Sequence, residues 1–473
     1  MKQTGDEYFD SQEFRDLLAN YEETINAGLP VFMDADELAE IADYYQMSGQ
    51  IDQAEEAITL ALNLSPGAVS PITYRIHEAL YNGDTQQAWE WLDQIVERSE
   101  PDYIYNRAEI MIAEGRIDEA DRYLRDEFKN VVPDEYQDYI IDVAHIFTDY
   151  GYSEKAMEWM MRAKHEESDD YQELMGRTLF GLGKYKDSER IFNKLIDRDP
   201  FSKRYWNALA SAQFMSEDYP SAIQSSEYAI AIDPDDPDGL IAKANGLFRM
   251  NNFEEALKYY ERYSKQIPDD EFSYLYQGTC LANIGRLGDA INRLEQAMEI
   301  GGKQSPYYYE IIQELGFVYG EDKQVDKALA LINETDEMDC DHVQMELLKG
   351  HLLLTIDQLP EAEMHFRTAI AQCDDFNEVF LRIIVSLYDN HYLEAAYKLF
   401  LKFFIMAGDE NKNGYAYMAL CCYDLKRYDE FLSYLMRACE VNPTECRNVL
   451  SILFPEDLAP ENYYDYIKDK MKQ

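Results

Sequence analysis

Basic residues are what this chain has least of. Its 473 residues hold 43 Lys and Arg against 92 Asp and Glu, a formal net charge of −49. Such a surface repels phosphate backbones, so no nucleic-acid partner is expected. The acids are spread along the whole chain and form no block, which reads as a surface kept soluble by solvated carboxylates; the alternative is an acidic outer surface that steers basic partners. Histidine is also thin: seven residues (77, 145, 165, 342, 351, 365 and 391), with no His-Glu-x-x-His. Cys340 and His342, followed by His351 and His365, lack regular ligand spacing, so no metal is expected. The seven cysteines are odd in number, confined to the C-terminal half and free of any Cys-x-x-Cys. That excludes a disulfide framework or zinc knuckle and fits reduced thiols in a cytoplasm. No apolar run approaches the roughly 20 residues of a membrane-spanning helix, so no membrane association is expected. The opening MKQTGDEYFDSQEF has no basic start before an apolar stretch, and no secretory signal is expected. Gly-x-Ser-x-Gly and Gly-x-Gly-x-x-Gly are absent. Gly181-Leu182-Gly183-Lys184 lacks the spacing of a phosphate loop and reads as a turn. Carboxylate pairs occur everywhere and so point to no glycosidase-like site. The expectation is a protein that is not an enzyme and needs no cofactor.

What is abundant is repetition. Between Asp169 and Gly302 the landmarks recur every 34 residues: Gly176, Ala210, Ala244 and Gly278; Phe180, Phe214 and Phe248; Tyr185, Tyr219, Phe253 and Leu287; Pro200, Pro234 and Pro268. A fixed period of this length dictates stacked supersecondary units, which grow by addition and do not enlarge one core. Each unit reads as two helices. An alanine early in the second is the steadiest marker: Ala54, Ala88, Ala120, Ala156, Ser188 (here serine), Ala222, Ala256, Ala290, Ala328, Ala362, then Ala395 or Ala396, with Phe431 in the last place. A small residue is needed there because the paired helices approach closely. Glycines 49, 83, 115, 151, 183 and 285, and Asn251, sit where a left-handed turn would join the two helices. Prolines 66, 200, 234, 268 and 443 follow the second helix, which they cannot continue.

These markers predict twelve repeats, starting near residues 35, 69, 101, 137, 169, 203, 237, 271, 309, 343, 377 and 412. Longer connections are predicted around Asn130–Tyr136 and across Gly301–Pro306, the second being the expected boundary between two solenoids. The organisation is read as an N-terminal capping helix (1–34), repeats one to eight (35–302), repeats nine to twelve (303–443) and C-terminal capping helices (444–473). Phe9, Phe14, Leu17, Leu18, Tyr21 and Ile25 give the first cap its apolar face, and Tyr463, Tyr464, Tyr466 and Ile467 the last. Of the adjacent Tyr259 and Tyr260, at most one can face the core.

The pattern resembles the tetratricopeptide repeat (TPR) family. Repeat 203 carries Trp206, Leu209, Ala210, Ala222, Ala229 and Pro234; repeat 35 carries Leu38, Ile41, Ala42, Tyr45, Ala54, Ala61 and Pro66; repeat 309 carries Leu315, Gly316, Tyr319 and Ala328. Gln213, Ser226 and Phe431 depart from the motif. The resemblance implies an all-α, right-handed superhelical α-solenoid whose first helices line the concave face. It also implies that ligand contacts come from set positions of those helices. Here these positions are Arg177 and Phe180, then Arg204, Asn207, Ser211 and Phe214, then Asn245, Phe248 and Arg249. Arginine forks grip carboxylates and asparagine clamps an extended peptide, so the groove is expected to take an acidic or C-terminal segment of a protein partner. The bland alternative is that the arginines pair with neighbouring acids and the phenylalanines pack between repeats. The lysine and asparagine clamp of chaperone-binding members is missing: fifth positions of the first three repeats are Ala39, Thr73 and Tyr105. Two functions follow, a scaffold for complex assembly or a regulatory solenoid that senses a small molecule or controls another enzyme or regulator.

Overall fold

The computed structural model describes residues 6–9, 11–163, 168–335, 341–408, 411–455 and 458–470. His165 and Cys340 lie outside them. The described residues form helices joined by short turns, with no β-strand among them. They fall into two compact units, Met1–Pro234 and Asp235–Gln473. The Gly301–Pro306 stretch lies inside the second unit and holds a short 3-10 turn, Gly302–Gln304.

The first unit opens with a short helix, Asp6–Phe9, and a longer one, Gln12–Asn26. Ser11 separates them because its side chain accepts from the Phe14 amide and starts the second helix afresh. Phe14 and Tyr21 are buried with Leu38, Ile41 and Ala42 of the next helix, so the segment caps the first pair. Helix pairs then follow: Ala35–Met47 with Ile51–Leu64, Val69–Tyr81 with Thr85–Leu92, Pro101–Ala113 with Ile117–Glu127. Tyr136–Asp149 pairs with Ser153–Met160, Asp169–Gly181 with Tyr185–Arg198, and Lys203–Met215 with Tyr219–Ile232. Asp34 and Glu37 cap the first pair reciprocally, each side chain taking the other residue's backbone N–H.

The second unit continues with Pro237–Arg249 and Phe253–Gln266, Glu271–Asn283 and Leu287–Gly301, Tyr308–Glu321 and Val325–Asn333. His342–Thr355 then pairs with Leu359–Gln372, Phe376–Asp389 with Leu393–Ala407, and Tyr415–Asp424 with Tyr428–Val441. Two cap helices, Pro443–Leu450 and Tyr463–Lys470, close it. Within each unit most first helices of successive pairs pack side by side, and most second helices pack on the first helix that follows.

The markers explain the pairing. Ala54, Ala88, Ala120, Ala156, Ser188, Ala222, Ala256, Ala290, Ala328, Ala362 and Phe431 are all fully buried. Ala396 is buried and Ala395 is exposed, which resolves that choice. Ser188 tolerates burial because its hydroxyl donates to the Gly176 carbonyl at 2.9 Å. Of the tyrosine pair, Tyr260 is buried and Tyr259 is only half so. The turn inside each pair always has one left-handed residue. Glycine supplies it at 49, 83, 115, 151, 183 and 285, while Glu217, Asn251, Lys323, Asp357, His391 and Lys426 supply it elsewhere. Sequence reading identified the glycines and Asn251 and missed the other five, because a left-handed residue with a side chain leaves no signature in composition. It also missed how short the second helices Thr85–Leu92, Ser153–Met160 and Val325–Asn333 are. The longer connection before Tyr136 is present, built of two 3-10 turns, Phe128–Asn130 and Pro133–Glu135.

Candidate partner-binding site

In the first unit the two arginines are already engaged. Arg177 donates to Asp149 Oδ1 at 2.6 Å, and Arg204 to Glu173 Oε2 at 2.5 Å. Both acids lie on the first helix of the preceding pair. Glu173 is buried; burial pushes its carboxyl up, and the Arg204 and Arg177 charges pull against that. Burial also presses His145 below its usual range, with Arg177 and Arg204 contributing and Asp149 opposing. Asn207 is half-buried and Ser211 is exposed.

The phenylalanine ladder serves packing. Phe180 packs tilted against Tyr185 at 5.5 Å between ring centres, and Phe214 against Tyr219 at 5.3 Å. Each is the end of a first helix meeting the start of its own second helix, across the left-handed turn. In the second unit Phe248 meets Phe253 edge-on at 5.4 Å across the same turn, and Tyr276 edge-on at 5.0 Å. Asn245 is half-buried, its side-chain oxygen accepting from the Tyr260 hydroxyl at 2.7 Å. Arg249 is exposed and forms no ion pair among the described residues.

The first helices of the first unit present a feature that the motif positions did not single out. A depression of about 310 Å³ is lined by His77, Leu80, Tyr81, Glu109, Ala113 and Tyr150. His77 Nε2 and Glu109 Oε2 are 2.9 Å apart. Burial works against a charged His77, but the bond to Glu109 and the charges of Glu109, Asp43 and Asp102 outweigh it and hold its pKa above the ordinary value. Asp43, on the neighbouring helix, is reached by water yet crowded by protein, and burial pushes its carboxyl up to about 6 despite His77. Farther along, burial also raises Asp142, to which Tyr105 is hydrogen bonded. The ninth positions of the first and third pairs, Asp43 and Glu109, were visible in the sequence. The reading there followed arginine and asparagine, and acids are too common in this chain to stand out. Among the described residues no cluster of His, Cys, Asp and Glu has the form of a metal site, and no helix is long and apolar enough to cross a membrane.

Family models for the tetratricopeptide repeat match residues 174–237, 213–277 and 415–445. The chain carries tetratricopeptide repeats over these residues. Over 119 residues the chain is 30% identical to protein FlbA of Caulobacter vibrioides, a match covering 25% of the chain and 20% of FlbA. Among solved structures, yeast Tom70 is 14% identical with a TM-score of 0.43, covering 93% of this chain and 96% of that one. A tetratricopeptide repeat protein from Parabacteroides merdae is 12% identical with a TM-score of 0.41, covering 54% and 99%. In TPR terms Arg177 and Asn245 hold ninth positions, and Arg249 a thirteenth, of first helices beginning at Asp169 and Pro237.

Proposed function

We propose that this TPR protein is a non-enzymatic scaffold, acting in the cytoplasm, that binds a protein or peptide partner along its first helices and mediates complex assembly. The observation that carries the reading is the division of charge on those helices. Arg177 and Arg204 are neutralised by Asp149 and Glu173, whereas Glu109 in the depression and Asp43 on the neighbouring helix both act on His77. A segment bearing lysine or arginine fits that arrangement in the first unit, with its apolar stem against Leu80 and Tyr81. An acidic or carboxyl-terminal segment suits Arg249 in the second unit. The two are separable. Binding of a fluorescent oligo-lysine peptide is expected to weaken several-fold in Asp43→Asn/Glu109→Gln and to weaken steeply with salt; equal binding by that variant sinks the basic-partner reading. Arg249→Glu should leave it unchanged and reduce capture of a glutamate-rich peptide.

The depression also favours a second reading, a regulatory solenoid that holds a small molecule there. A thermal-shift screen against metabolites separates them: a hit lost on Tyr150→Ala supports the small-molecule site.

A further inference from the structure

The last second helix, Tyr428–Val441, and the cap helix after it, Pro443–Leu450, bring two thiols together: Cys439 Sγ and Cys446 Sγ lie 3.2 Å apart. The approach is built by the backbone. One residue, Asn442, joins the helices, and its side chain caps the second by accepting from the Glu445 amide at 3.0 Å. Pro443 fixes the first position of that helix. Cys446 is fully buried among Leu450, Phe454 and Tyr463, while Cys439 is half-buried and reached by water. No other pair of thiols among the described residues is joined in this way. A disulfide needs its sulfurs at about 2.05 Å, so about 1 Å of side-chain movement closes the gap.

We propose that Cys439 and Cys446 form a redox modification site, which a peroxide converts to a reversible disulfide stapling the last helix pair to the C-terminal cap. The steps balance. The Cys439 thiol loses its proton, and the thiolate attacks one peroxide oxygen. The O–O bond breaks, hydroxide leaves and takes up that proton, and Cys439 becomes a sulfenic acid. Cys446 then attacks the Cys439 sulfur; the S–O bond breaks and hydroxide leaves with the Cys446 proton as a second water. Two thiols are oxidised by two electrons and one peroxide is reduced to two waters. The order follows from access: Cys439 is reached by water and so meets the peroxide first, while Cys446 is buried and burial keeps its thiol protonated until the second step.

The test uses the full chain, reduced, treated with hydrogen peroxide, then alkylated and digested. The peptide holding both residues should lose two hydrogens and escape alkylation, and dithiothreitol should reverse this. In Cys446→Ser the disulfide is absent and Cys439 should react with dimedone as a sulfenic acid. Full alkylation of both thiols after peroxide overturns the proposal, as does pairing of Cys439 with another cysteine. So does equally fast disulfide formation in the denatured chain, since the folded geometry would then contribute nothing. Amide exchange in residues 443–450 should slow several-fold on oxidation; unchanged exchange overturns the staple.

Discussion

A single carbon atom decides how closely two helices of a pair can lie. A Cβ added at Gly278 would stand 2.5 Å from Leu294 Cγ, and one at Gly176 would stand 2.9 Å from the Phe192 ring. At the equivalent positions Ala210 and Ala244 are fully buried. Gly278→Ala should therefore lower stability by about 1–3 kcal/mol through overpacking, as read by urea unfolding. Gly288→Ala is the control: nothing lies within 4 Å of its added methyl, and replacing glycine in a helix should gain up to about 1 kcal/mol. The small-residue rule was legible because it repeats. That the arginines pair with neighbouring acids was one of the two readings of the sequence, but which acids was not legible, because Arg177 reaches 28 residues back and Arg204 reaches 31. Neither interval matches the 34-residue period, so aligning the repeats cannot bring the partners into register.

At the scale of the element, the turn inside each pair is the recurring joint. Its left-handed residue costs an L-residue about 1–2 kcal/mol, a cost glycine escapes, less the extra chain entropy it loses on folding. Lys323→Gly should then raise stability by about 0.5–1 kcal/mol, and Gly115→Ala should lower it by a similar amount; thermal unfolding of each variant beside the parent checks both. First helices were legible to within a residue at most starts, since small and large residues alternate along them with helical period. The exception is the last pair, expected near 412, whose helix begins at Tyr415. There Gly414 takes a left-handed conformation, and Glu445 binds the Gly414 and Ala416 amides. A carboxylate 31 residues later thus sets that start, which no local pattern reveals.

For the whole molecule the excess of acid sets the response to pH. Asp43 and Asp389 are both raised to about 6, chiefly by burial, from the ordinary carboxylate value of 3.8. The folded chain binds these protons more tightly than the unfolded one, so stability falls as pH rises from about 4 to about 6. His77, raised by Glu109 and its neighbours, works in the same direction: its contribution is full below its unfolded value and lost as pH rises through the folded one. Repulsion within a net charge of −49 adds to this. The melting temperature should rise by a few degrees between pH 7.5 and 5.5, and Asp43→Asn should recover part of that gain at pH 7.5. His145 and His351, pressed down by burial, oppose this gain as pH falls, so the decisive result is Asp43→Asn: no rise over the parent at pH 7.5 contradicts the carboxylate assignment.

The pairing of near neighbours also bears on how the chain comes to be folded at all. The substantial packings join a helix to the next one or the next but one. Contacts so local cost little loop entropy and favour fast folding. Within each unit the earlier pair leaves the ribosome before the later one, so each later pair finds its template already laid down. A ribosome pausing partway would leave behind a shorter assembly with an open apolar end, not a tangle, and that end is where a chaperone would be needed.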